Sequence, residues 1–185
     1  MIDDVLLETE EKMDKAVAFC RDEFGAIRTG RANPQLFNSI SVDYYGAPTP
    51  LQQLASITIP EARTVLVSPY DKTATNDIIR AIQESDLGVN PTDDGHVIRI
   101  SLPALTEERR RDYVKLAGQK AEEARIAVRG IRRKGMEELD RIKKDGEAGE
   151  DEVERAHKDV ESLTRSHVDE IDKILAAKES ELLEM

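Results

Sequence analysis

LTEERRRDYVKLAGQKAEEARIAVRGIRRKGMEELDRIKK, residues 105–144, is the stretch that decides the fold. Ala117, Ala121, Ala124, Val128, Ile131 and Ile142 recur at near-heptad spacing and line one seam of a long amphipathic helix. Thr106, with Glu108-Arg109 nearby, resembles a helix start, although the strict capping-box spacing is imperfect. At about 1.5 Å per residue the helix would be roughly 60 Å long. A stripe of that length must be covered by other helices.

Both flanks supply such helices. Asp145-Gly146-Glu147-Ala148-Gly149 reads as a turn, and from Glu150 nearly to Met185 a further helix carries Val153, Ala156, Val160, Leu163, Ile171 and Ile174 on its seam. At the other end, residues 2–28 read as a helix with Ile2, Leu6, Met13, Ala16, Cys20, Phe24 and Ile27 on one stripe. Asp3, Asp4 and Glu8 crowd its first turns, where the helix dipole favours anions. Gly30 is the expected stop, and Asn33-Pro34 enforces a break.

Residues 31–104 change character. Ile40–Tyr44 alternates with period two, Tyr45-Gly46-Ala47-Pro48 is a turn, and Ile57–Ile59 and Thr64–Val67 are short strands around a break at Pro60. Thr75–Ser85 is helical, with Ile78, Ile79 and Ile82 inside and Gly88 as its stop. Asn90-Pro91 and Asp94-Gly95 are turn signals, and His96–Ile100 closes as a strand before Pro103. The expected fold is α+β: a long three-helix bundle from residues 1–30 and 105–185, with a small α/β domain, 31–104, inserted on two crossings of chain near Gly30 and Pro103-Ala104.

Composition agrees with long solvated helices: 35% of the 185 residues are charged, 4% are aromatic and there is no Trp. The net charge of -11 argues against indiscriminate binding to nucleic acid or anionic membrane. Its distribution is uneven, however. Residues 109–144 carry +7, against -5 over 1–24 and -9 over 145–185. One basic stretch in an acidic protein can target a polyanion locally while the rest repels wrong partners. Cys20, the one cysteine, falls at a core spacing and fits a reducing cytosol. The N-terminal residues lack a signal-peptide pattern, and no apolar run is long enough to span a membrane, so a cytoplasmic protein is expected.

Arg125, Arg129 and Arg132 fall within an arc of about 60° on a helical wheel. Arg133 is adjacent, and Arg109, Arg110 and Arg111 lie several turns upstream. Arginine forks suit bidentate phosphate contacts, and with Tyr113 the only aromatic in the helix, backbone and shape recognition of folded RNA fits better than base stacking. The competing reading is a solvated face paired with the acidic helices. Arg28-Thr29-Gly30-Arg31 likewise reads either as a basic last turn set against the helix dipole or as a basic elbow at the crossing. His96, His157 and His167 have no metal-ligand spacing, and no catalytic triad or phosphate-cradling glycine loop is present, so no metal, cofactor or catalytic residue is expected.

Five segments, in order, resemble the bacterial ribosome recycling factor family: Arg28–Pro34, Tyr44–Leu51, Asp86–Pro91, Leu105–Asp112 and Ala127–Arg133. The resemblance covers essentially the whole chain. It implies an L-shaped molecule with a two-stranded hinge, matched here by Gly30-Arg31 and Ala104-Leu105. It implies a factor that enters the post-termination 70S ribosome and contacts large-subunit ribosomal RNA; a monomer is the simpler expectation. Elongation factor G with GTP would then drive the subunits apart, with a later link to initiation factor 3 and no covalent step by the factor itself. By position the RNA-contacting arginines match Arg110, Arg129 and Arg132, with Arg28, Arg31 and Arg133 as weaker matches. One departure is Gly130, where the family usually has a larger polar residue, often Asn; a helix-interior glycine costs about 1 kcal/mol. A coiled-coil adaptor docking on an acidic protein, and an enzyme, are the readings from other classes.

Overall fold

The computed structural model describes residues 1–184. The chain folds into two compact units: Met1–Phe24 with Val114–Ser180, and Gly25–Tyr113 with residues 181–184. The fold is α+β.

The first unit is built from the greater part of three long helices, α1 (Ile2–Gly25), α4 (Glu107–Lys144) and α5 (Glu150–Leu183). Alanines dominate the buried side of α4 at Ala117, Ala121 and Ala124, followed by Val128, Gly135, Leu139 and Ile142. Small side chains let neighbouring helices approach closely; a Cβ at Gly135 would lie only 2.8 Å from Thr9 Oγ1 on α1. Toward one end Val5 of α1, Leu139 and Ile142 of α4, and Val153, Ala156 and Val160 of α5 form one apolar cluster. Cys20 is buried at the expected core position. The expected seams shift in places: Ile131, Leu163 and Ile174 are only half-buried, while Gly135, Leu139 and His167 take core positions.

Helix α1 ends at Gly25, three residues before the expected Arg28. Gly25 packs directly under the Gln35 side-chain amide, a space that a Cβ would fill. Arg28 is therefore not in a helical last turn, and the dipole reading of Arg28 and Arg31 falls.

The second unit holds β1 (Ser41–Tyr44), β2 (Ala47–Pro50), the single turn α2 (Leu51–Leu54), β3 (Ala55–Glu61), β4 (Thr64–Pro69), α3 (Thr75–Gln83), β5 (Pro91–Asp93) and β6 (Ile98–Ser101). β1 and β2 form a hairpin, and the others a four-stranded antiparallel sheet of order β3-β4-β6-β5. Two proline-marked segments were expected as turns, Ala47-Pro48 and Asn90-Pro91, yet Ala47, Pro48 and Pro91 lie in strands. Pro60 likewise sits inside β3, where the pairing register shifts between Thr58 and Glu61. β2 is half of a two-stranded hairpin and β3 and β5 are sheet edges, so a proline without an N–H costs little there. Val65, Val67, Ile78, Ile82, Ile98 and Ile100 are fully buried in the shared core of this unit. Ile79 only packs at its margin.

Candidate functional site

The arginines singled out from the sequence divide between the units. Arg129, Arg132 and Arg133 belong to the helical unit, and Arg28, Arg31 and Arg110 to the other.

On α4 the wheel places Arg125 and Arg132 beside the buried seam and Arg129 and Arg133 farther round. That difference sets their chemistry. Arg125 is only 18% exposed and spans two helices. Its Nε and Nη2 donate to Asp172 Oδ1 of α5 at 2.9 and 2.7 Å, and its Nη1 donates to Glu122 Oε2 at 3.0 Å. The Asp172 hydrogen bonds, and after them those to Glu122, raise its already high pKa despite partial burial. Arg125 is thus a structural clamp and leaves the candidate RNA face. Arg129 is 57% exposed, with one long contact of 3.5 Å to Glu122 Oε1. Arg132 is 40% exposed; its Nε donates to Glu161 Oε1 on α5 at 2.7 Å and its Nη2 donates to the same oxygen. Arg133 is exposed, with no hydrogen bond or ion pair among the described residues. Ile126, 60% exposed, and Gly130 share this outward side, and a Cβ at Gly130 would meet nothing within 4 Å.

In the other unit Arg28 is 92% buried, the complement of its 8% exposure. Its Nη2 donates to the Pro103 carbonyl, while its Nε is buried without a hydrogen-bond partner among the described residues. Burial lowers its pKa, and Arg109 and Arg63 nearby push the same way against an opposing effect of Tyr113. A side chain so enclosed ties the two crossings of chain together and is not displayed to a ligand. Arg31 is exposed, its backbone N–H 3.4 Å from Thr29 Oγ1. Gly30 and Leu105 are half-buried and Ala104 is exposed. Backbone bonds from Ala32 N–H to the Ala62 carbonyl, 2.6 Å, and from Leu102 N–H to the Arg63 carbonyl, 2.8 Å, fasten both crossings to the turn between β3 and β4. Arg110, in the second turn of α4, is half-buried and engaged by other residues of the protein.

Sequence reasoning did not identify the carboxylates that manage these arginines. Glu122 was within reach, because its three- and seven-residue spacings to Arg125 and Arg129 place all three along one strip of helix. Glu161 and Asp172 were not, since their partners are fixed by the register of α5 against α4. Among the described residues no group of three or more His, Cys, Asp and Glu could hold a metal ion, and no helix is long and apolar enough to cross a membrane.

Comparison with known proteins places this architecture. The family model for ribosome recycling factor matches residues 20–183. A ribosome-recycling factor of Beutenbergia cavernae is 68% identical over 185 residues, covering all of both chains. One from Kineococcus radiotolerans is 64% identical over 183 residues, 99% of each chain. A solution structure of the ribosome recycling factor superposes with a TM-score of 0.78 at 40% identity, covering 100% of this chain and 98% of that one. A model of the T. thermophilus factor, bound with E. coli elongation factor G to the E. coli post-termination complex, matches with a TM-score of 0.69 at 39% identity, covering 99% of each chain. With a family model spanning most of its length and relatives identical at more than half of its positions, the chain belongs to the ribosome recycling factor family.

Proposed function

We propose that this protein recycles ribosomes: with elongation factor G and GTP it splits the post-termination ribosome into subunits and frees them from messenger RNA. The observation that carries the reading is the full-length likeness to a factor bound with elongation factor G on a post-termination complex. The protein acts as a non-enzymatic wedge in the cytoplasm. It anchors on large-subunit ribosomal RNA through Arg129, Arg132 and Arg133, with Arg31 and Arg110 as further contacts. Arg28 serves the elbow from inside. Phosphate contacts suit these groups, because a planar guanidinium offers paired N–H donors that match phosphate oxygens. The acidic helices α1 and α5 limit other RNA encounters.

The bundle formed by residues 1–30 and 105–185 is the anchor. The inserted domain, 31–104, is the handle that the GTPase pushes, and Gly30-Arg31 and Ala104-Leu105 are the hinge. Free energy comes from GTP hydrolysis, and this chain supplies geometry. It works as a monomer, and initiation factor 3 then keeps the subunits apart.

The test is light scattering of post-termination 70S complexes mixed with this protein, elongation factor G and GTP. A rapid fall that needs all three components is expected. No fall, with binding to ribosomes also absent, would overturn the reading and favour an adaptor that docks on an acidic protein.

A further inference from the structure

The carboxylates facing the α4 arginines leave different parts of each guanidinium open. A guanidinium has two edges able to make paired hydrogen bonds, Nε/Nη2 and Nη1/Nη2. Asp172 occupies the first edge of Arg125 and Glu122 takes Nη1 on the second, so no phosphate can replace them without breaking the clamp. Arg129 is held by a single 3.5 Å contact and keeps its Nε/Nη2 edge open. Arg132 is intermediate. Glu161 Oε1 accepts from both Nε and Nη2, and the Nη1/Nη2 edge has no partner among the described residues. The two side chains stand on different helices of one unit, and both are partly exposed, 40% and 46%. The plane of the Arg132 fork is thus set from outside its own flexible stem.

We propose that Glu161 is a positioning and selectivity residue for RNA binding: it grips Arg132 by the Nε/Nη2 edge and presents the Nη1/Nη2 edge to one phosphate. This inference rests on the ribosome-binding reading above. An unpaired arginine attracts any polyanion from a distance. A paired one is nearly neutral at distances well beyond the pair's own separation, and gains strength only for a phosphate seated within hydrogen-bond reach. Holding the fork before binding also removes part of the ordering cost for the phosphate that fits. Glu161 therefore weakens attraction to unrelated RNA and preserves attraction to the matching surface, and selectivity is that difference.

The test compares wild type, Glu161→Ala, Glu161→Gln and Arg132→Ala at one fixed salt concentration. Two probes are titrated: purified large ribosomal subunits and a random-sequence RNA duplex. In Glu161→Ala the ratio of subunit to duplex affinity should fall about tenfold, the scale of one charged hydrogen bond. Duplex binding itself should tighten. Glu161→Gln keeps an oxygen acceptor but not the charge, so subunit binding should largely recover while duplex binding stays tight. Misfolding would weaken both probes and could not reproduce that divergence. A parallel loss on both probes overturns the proposal, as does an unchanged ratio. If Arg132→Ala weakens subunit binding while Glu161→Ala leaves the ratio unmoved, only the role of Glu161 falls. If neither variant has an effect, the arginine-face reading falls with it.

Discussion

His167 is a buried polar residue of α5 whose two ring nitrogens both face acceptors. Its Nδ1 lies 2.6 Å from the Leu163 carbonyl and its Nε2 lies 2.6 Å from Asp14 Oδ1 on α1. Both neighbours are acceptors, and only the protonated ring can donate to both at once. Burial opposes that charge, but the Asp14 carboxylate and the Leu163 carbonyl outweigh it and hold the pKa above its ordinary value. A folded pKa above the unfolded one, about 6.5, contributes stability that is complete below the unfolded value. That contribution is lost as pH rises through the folded value. Thermal denaturation followed by circular dichroism should show this contribution declining above about pH 6.5. His167→Gln should cost about 1–3 kcal/mol at pH 6 and less at pH 9; an equal cost at both would refute the charged state. The glycines of α4 give a second contrast at this scale. A Cβ at Gly130 meets nothing, so Gly130→Ala should stabilise by about 1 kcal/mol through helix propensity. At Gly135 a Cβ would press on Thr9 Oγ1, and Thr9 is buried and β-branched. Gly135→Ala should therefore destabilise in urea titrations, reversing the sign seen at Gly130.

At the scale of elements, local signals located the helices well where the ends are closed locally. The start of α4 followed from Thr106, whose Oγ1 accepts from the Arg109 backbone N–H at 3.1 Å. Thr106→Ala should lower stability by about 1 kcal/mol in urea titration. The end of α1 was misplaced because it depends on contact with Gln35, ten residues away in sequence and absent from any helical period. The prolines misled for a similar reason. A proline rules out a central strand, but whether a strand is central or an edge depends on pairing order, which no short window contains. The hairpin turn was legible: Tyr45 and Gly46 both have positive φ, 51° and 79°, as a two-residue connection requires. Tyr44 on β1 then donates to Asp71 Oδ2 at 2.7 Å. That bond pushes the Tyr44 pKa up to about 12, while hydrogen bonds from Thr73, then Tyr44, lower that of Asp71.

At the scale of the whole molecule, binding should follow the arginines left available. With four to six phosphates neutralised, log affinity for large subunits should fall against log salt with a slope of roughly -3 to -5. Filter binding between 50 and 200 mM salt measures it, and a flat dependence would remove the phosphate anchor. Arg129→Ala with Arg133→Ala should make that slope shallower by about 2. Arg125→Ala should instead lower stability, because it leaves Asp172 and Glu122 without their shared cation.

The sequence by itself determined the three long helices, the α/β segment lying between the first two, the basic character of α4 and the family. These depend on spacing, composition and local turn chemistry, all of which act over a few residues. Only the tertiary structure decided which arginine is displayed. Arg28, Arg125 and Arg132 are the same residue type in similarly basic stretches. Yet one is enclosed against a carbonyl, one is clamped by two carboxylates and one is held by a single edge. Their fates depend on which groups from distant parts of the chain arrive within about 3 Å, and at that distance hydrogen bonding and desolvation outweigh net charge.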